Sequence, residues 1–146
     1  MQILRKLYPF NIPRKDLVII YIIFIRSFLE QSAVVWHSSI TQENSNALER
    51  VQKIALRIIL KESYDNYEDS LEKVNLETLK IRRESLCLTF AKSCTKNPLV
   101  QSMFPLNQDN VGIHKKKEKY KVQFASKKRL QQSSIPYMQN LLNKLE

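Results

Sequence analysis

The longest apolar run in the sequence, Leu17–Ile25, holds nine residues before Arg26 interrupts it. A membrane-spanning helix needs about 20 such residues, so the run reads as a buried helix and not as a span. Its β-branched residues (Val18, Ile19, Ile20, Ile22, Ile23 and Ile25) would equally suit a strand, and so continuous a run has no period to decide the matter. Length decides it. The apolar pattern continues through Phe28, Leu29, Ala33, Val34 and Trp36 without a turn signal, which predicts a helix over residues 15–37. That is too long for a strand, typically about 5–6 residues. An apolar first half on all sides predicts a central helix covered by several neighbours.

The remainder agrees with helices. Gly112 is the single glycine, and strand-rich folds need glycine-bearing turns. A second helix is expected over residues 42–61, with a capping box from Ser39 to Gln42 and an apolar stripe of Ala47, Leu48, Val51, Ile54, Ala55, Ile58 and Ile59. A short helix around Glu68–Val74 would turn Tyr67, Leu71 and Val74 inward. A helix over 77–96 would bury Leu76, Leu79, Leu86, Phe90 and Cys94 and present Thr78, Arg82, Arg83 and Glu84 as a charged side. Last, Ser133 or Ser134 caps a C-terminal helix with Pro136 in its first turn and Met138, Leu141, Leu142 and Leu145 on its apolar face. The expectation is an all-α fold: a small irregular helical bundle over 1–106, a basic, partly disordered linker over 107–132, and a C-terminal helix over 133–146 docking on the bundle. Trp36, Leu48, Val51 and Phe90 would be structural anchors.

The net charge of +10 is concentrated locally: residues 115–129 hold eight basic and one acidic residue, a surplus of +7 that leaves +3 for the rest. This cluster (Lys115, Lys116, Lys117, Lys119, Lys121, Lys127, Lys128 and Arg129) favours polyanions, though a solvated linker has the same composition. Tyr120, Val122 and Phe124 alternate within it, a hint of extended structure whose aromatics either stack on bases or anchor the linker. On the 42–61 helix Arg50, Lys53 and Arg57 share one face, at spacing i, i+3, i+7. Such a ridge suits either solvent or a phosphate backbone.

Catalytic constellations are missing. One glycine excludes a phosphate-binding loop and a nucleophile elbow. His37, His114, Cys87 and Cys94 have no zinc-site spacing, and His37 reads as a cap or surface residue. On a helix Cys87 and Cys94 would lie about 10 Å apart along the axis, too far for a disulfide, so buried free thiols of an intracellular, reducing compartment are expected. Glu68, Asp69 and Glu72 read as the acidic start of a helix. No metal, cofactor or secretory signal is expected, and no membrane partner.

Taken in order, Arg26-Ser27, Leu29-Glu30, Val35-Trp36, Leu48-Glu49-Arg50-Val51-Gln52, Ala55 and Arg57 resemble a series found after the polymerase core in reverse transcriptases of non-LTR, LINE-like retrotransposons. Leu79 with Arg82-Arg83, Phe90-Ala91-Lys92, Phe104-Pro105-Leu106-Asn107, and Ser134-Ile135-Pro136-Tyr137 through Leu141-Leu142-Asn143 extend the likeness over residues 15–143. No single motif is specific; their order is. Gln31 stands where the family has an aromatic. The resemblance implies a C-terminal remnant of an RNA-directed DNA polymerase. The catalytic aspartates lie outside the chain, so it would have neither polymerase nor endonuclease activity and would contact RNA or DNA backbone without reading sequence. The missing polymerase core would be a further partner. The competing reading is a helical protein-interaction module that presents the Leu17–Ile25 helix to another chain.

Overall fold

In a computed structural model the chain is described over residues 2–107, 118–124 and 126–145. The described residues form an all-α protein. Its elements are α1 (Gln2–Leu7), α2 (Arg14–Ile20), a π turn (Tyr21–Arg26), α3 (Ser27–Glu30), α4 (Ala33–Trp36), α5 (Gln42–Leu60), α6 (Tyr67–Lys73), α7 (Leu79–Lys96), α8 (Lys128–Gln131) and α9 (Ser134–Lys144). They form two compact units, each discontinuous in sequence: Met1–Gln31 with Thr41–Arg82, and Ser32–Ile40 with Arg83–Glu146.

The first unit is built around Leu4, Leu17, Tyr21, Ala55 and Ile59, with Leu7, Ile25 and Leu76 packed at its edge. α5 starts at Thr41, whose hydroxyl accepts from the Asn44 amide at 3.2 Å, so the cap is Thr41 and not the Ser39–Gln42 box. Its buried side is Ser45, Gln52, Ala55, Leu56, Ile59 and Leu60. Ala47 and Ile54, expected in the stripe, face solvent because two polar side chains take the inward positions. α6 is capped by Asn66, whose side chain accepts from the Asp69 amide at 2.9 Å and donates to its carboxylate.

The expected helix over 15–37 is not one regular helix. Leu17, Tyr21, Ile25 and Leu29 face inward at a strict spacing of four. In an α-helix that spacing drifts about 40° per step. The wider π turn over Tyr21–Arg26 offsets the drift and keeps the stripe on one side. Helix then breaks at Ser32, which takes φ 54°. Among the described residues, none of which is glycine, the backbone takes positive φ at Asn11, Ser32, Lys61 and Asn75. The two asparagines tolerate that region; Lys61 does so at a cost of order 1 kcal/mol.

Nor is this segment covered on several sides. Phe24 is 61% and Phe28 74% exposed, and Ile19 and Ile23 stand beside them. The helical run Arg14–Ser39 is long and apolar enough, by length and composition, to cross a membrane, and little of its apolar stretch is buried. The expectation of a buried helix came from hydrophobicity, which measures the tendency to leave water and not the presence of a neighbour.

The second unit packs Cys87, Ala91, Cys94, Phe104, Met138 and Leu142, with Val34, Tyr120 and Tyr137 against them. Both cysteines are free and buried. Phe90, expected as an anchor, is 44% exposed, whereas Arg83, expected on the charged side, is 1% exposed. Trp36, Leu48 and Val51 are half-buried.

Candidate nucleic-acid interface

The outward face of α5 carries Arg50 and Arg57 exposed and Lys53 half-buried, on one surface of the first unit. Arg50 and Lys53 line a groove of about 470 Å³ with Asn46, Glu49, Tyr67, Thr78 and Lys80. The Lys53 ammonium lies 4.8 Å from the Tyr67 ring centre, and the Arg57 guanidinium 5.3 Å from that of Tyr64. Aromatic faces orient these cations without neutralising them. Among the described residues no ion pair engages Arg50, Lys53, Arg57 or Lys80. Arg57 also borders a shallower concavity of about 370 Å³ with Arg5, Ile58 and Lys61.

The groove contains one carboxylate, and it is occupied. Glu49 accepts from the backbone amides of Leu79 at 3.3 Å and Lys80 at 2.7 Å, and from the Tyr67 hydroxyl at 2.5 Å. It caps the N-terminus of α7, a place where negative charge is favoured. Burial, and then the bond to Glu49, holds the Tyr67 phenol above its usual range, so no second negative charge arises. The groove's lining thus sets three cations, Arg50, Lys53 and Lys80, against the one carboxylate. Lys80 escaped the sequence reading because it reaches the groove through this cap and not through α5.

The second basic surface lies in the other unit. Lys119, Lys121, Lys127, Lys128 and Arg129 are exposed there; Lys115, Lys116 and Lys117 lie outside the described residues. The segment expected as a loose linker is pinned where it is described. Leu106 and Tyr120 form an antiparallel bridge, with the Lys121 amide donating to Pro105 O at 2.9 Å and the Asn107 amide to Lys119 O at 2.8 Å. From α9, the Asn143 carboxamide takes both backbone groups of Tyr120 at 2.9 Å. One turn earlier Gln139 accepts from the Gln123 amide at 2.8 Å and donates to Met103 O at 2.7 Å. Of the alternating residues Tyr120, Val122 and Phe124, only Tyr120 takes part in this bridge.

Several residues of the ordered series are architectural. Glu30 meets Arg26 at 3.7 Å and Arg82 at 3.3 Å, both as charge contacts without hydrogen-bond geometry. Gln52 bonds Tyr21 and the Glu77 carbonyl. In the second unit Arg83 donates through Nε to His37 Nδ1 at 3.3 Å and lies 5.8 Å from the Trp36 ring centre. His37, expected as a cap or surface residue, is buried, accepting at Nδ1 and edge-on to Tyr137. Polar residues at inward positions leave no hydrophobic signal, which is why this cluster was missed.

No group of three or more His, Cys, Asp or Glu capable of holding a metal occurs among the described residues. The Cys87 thiol is pushed up to about 11 by burial, with Glu84 adding to the effect, which keeps it protonated and a poor nucleophile at neutral pH. Comparison with protein-family models, with curated proteins and with solved structures gives no match to this chain.

Proposed function

We propose that this chain is a non-catalytic, C-terminal segment of a retroelement reverse transcriptase that grips the backbone of RNA or DNA without reading its sequence. The observation that carries the binding is the α5 groove, where Arg50, Lys53 and Lys80 stand around a carboxylate already spent on a helix cap. Phosphate contacts position a nucleic acid but carry no sequence information. The family origin rests on the ordered motifs alone; of their residues, Glu30, Trp36, Glu49, Gln52, Arg82 and Arg83 each make a specific contact.

Filter binding of unrelated RNA and DNA sequences at two salt concentrations tests it. The expected result is similar affinity across sequences that falls steeply with salt. Changing Arg50, Lys53 and Arg57 together to Ala should lower the salt slope by roughly 3 for three phosphate contacts on duplex DNA. No binding at low salt would falsify the reading, and product in a primer-extension assay would overturn the non-catalytic part.

One observation favours a second reading, the helical protein-interaction module. Ile19, Ile23, Phe24 and Phe28 form an exposed apolar face, the kind of surface that marks interfaces. Light scattering should then report a mass above the 17.3 kDa of one chain; a clean monomer argues against it.

A further inference from the structure

The second unit contains a groove of about 530 Å³ between residues 102–105, residues 121–124 and α9. That volume falls within the roughly 300–1,000 Å³ of pockets that enclose small organic groups. Met103, Pro105, Val122, Phe124 and Ile135 make its apolar walls. Phe124 is 90% exposed, so its ring is not anchoring the segment to a core. The anchoring is done by backbone bonds to Asn143 and Gln139, which leaves the ring available. Lys121 lines the groove, and Lys119, Lys127, Lys128 and Arg129 are exposed within ten residues of Phe124 in sequence, with Glu118 the one acidic residue of that stretch.

We propose that this groove takes an unstacked nucleobase against Phe124 while the surrounding cations hold the adjoining phosphates, so that the second unit binds single-stranded nucleic acid. The inference rests on the backbone-binding reading and specifies its substrate class. A single strand supplies what the site lacks, a planar apolar group joined at short intervals to negative charge; a duplex keeps its bases stacked inside. The buried carboxamide of the groove, Gln139, is consumed by the Gln123 amide and Met103 O, so it is not available to read a base edge. Stacking without edge recognition is tolerant of sequence.

The test is fluorescence anisotropy on the full chain with three labelled probes: an oligothymidylate, an abasic strand of the same length and charge, and a duplex. The oligothymidylate should bind on the order of tenfold tighter than the abasic strand, as one base stacked on an aromatic would give. Phe124→Ala, a change at an exposed position, should abolish that difference and leave duplex affinity unchanged, while Phe124→Tyr should retain it. Equal affinity for the oligothymidylate and the abasic strand overturns the stacking site and leaves phosphate binding intact, as does full oligothymidylate affinity in Phe124→Ala. If none of the three probes binds at low salt, the backbone reading falls and this inference falls with it.

Discussion

Gln52 in the first unit and Gln139 in the second are both buried, and each uses both ends of its carboxamide. Their partners differ. Gln52 accepts from the Tyr21 hydroxyl at 3.1 Å and donates to Glu77 O at 2.9 Å, joining the π turn and the approach to α7 to the middle of α5. Gln139 holds two backbone groups outside the α-helices, Met103 O and the Gln123 amide, at the wall of an open groove. The same side chain serves a closed core in one place and fixes a surface segment in the other. Water can replace the second set of bonds far more readily than the first.

The comparison breaks if the two glutamines prove equivalent. Gln52→Leu should have the largest effect. It strands the buried Tyr21 hydroxyl and the part-buried Glu77 O; an orphaned buried group costs about 1–3 kcal/mol and a part-buried one less, so urea denaturation should show a loss of roughly 2–4 kcal/mol. Adding Tyr21→Phe removes one orphan and should recover about 1 kcal/mol. Gln139→Leu should cost less, about 1–2 kcal/mol, because its partners lie near solvent. Hydrogen exchange should show the Gln123 amide losing its protection, and the preference for the oligothymidylate over the abasic strand should disappear with it. A Gln139→Leu loss as large as that of Gln52→Leu would mean the second unit is built as a closed core too.

A smaller effect sharpens the contrast through pH. Burial first, and Glu84 second, raises the folded Cys87 pKa from 9.0 to about 11. A raised folded pKa contributes a stability that is fully present below the unfolded value and is lost as pH rises toward the folded one. Stability should therefore be flat below pH 9 and fall between about 9 and 11, by about 2 kcal/mol or less from this thiol. Tyr137, pushed up to about 12 by burial, extends the loss above pH 10. Cys87→Ala should flatten the lower part of the profile in a denaturation series.

How much of this was legible follows from what each signal measures. The i, i+3, i+7 spacing put Arg50, Lys53 and Arg57 on one face without any tertiary knowledge, because helix geometry alone determines it. The extent of α5 was legible for the same reason. Its buried stripe was less so: Ser45 and Gln52 occupy inward positions, and polarity scored them as surface. Arg83 and His37 were hidden by that same rule. The π turn left no mark because a stripe at spacing four resembles an ordinary helical one. The α9 carboxamides that hold residues 120–123 could not be foreseen, since nothing local to Asn143 or Gln139 names a partner so far upstream.

Glu49 has a consequence for the order in which structure forms. The first two amides of α7 are satisfied by a carboxylate about thirty residues earlier, and the third by a local cap, Thr78 accepting from the Ile81 amide at 3.3 Å as Thr41 does from Asn44 in α5. Both helices thus carry a local start, but two donors of α7 stay open until α5 is beside them. In a refolding chain the N-terminal turn of α7 is expected to close fully only once Glu49 arrives, with the entropy of closing the intervening loop borne by that step. Lys80 then takes its place beside Arg50 and Lys53.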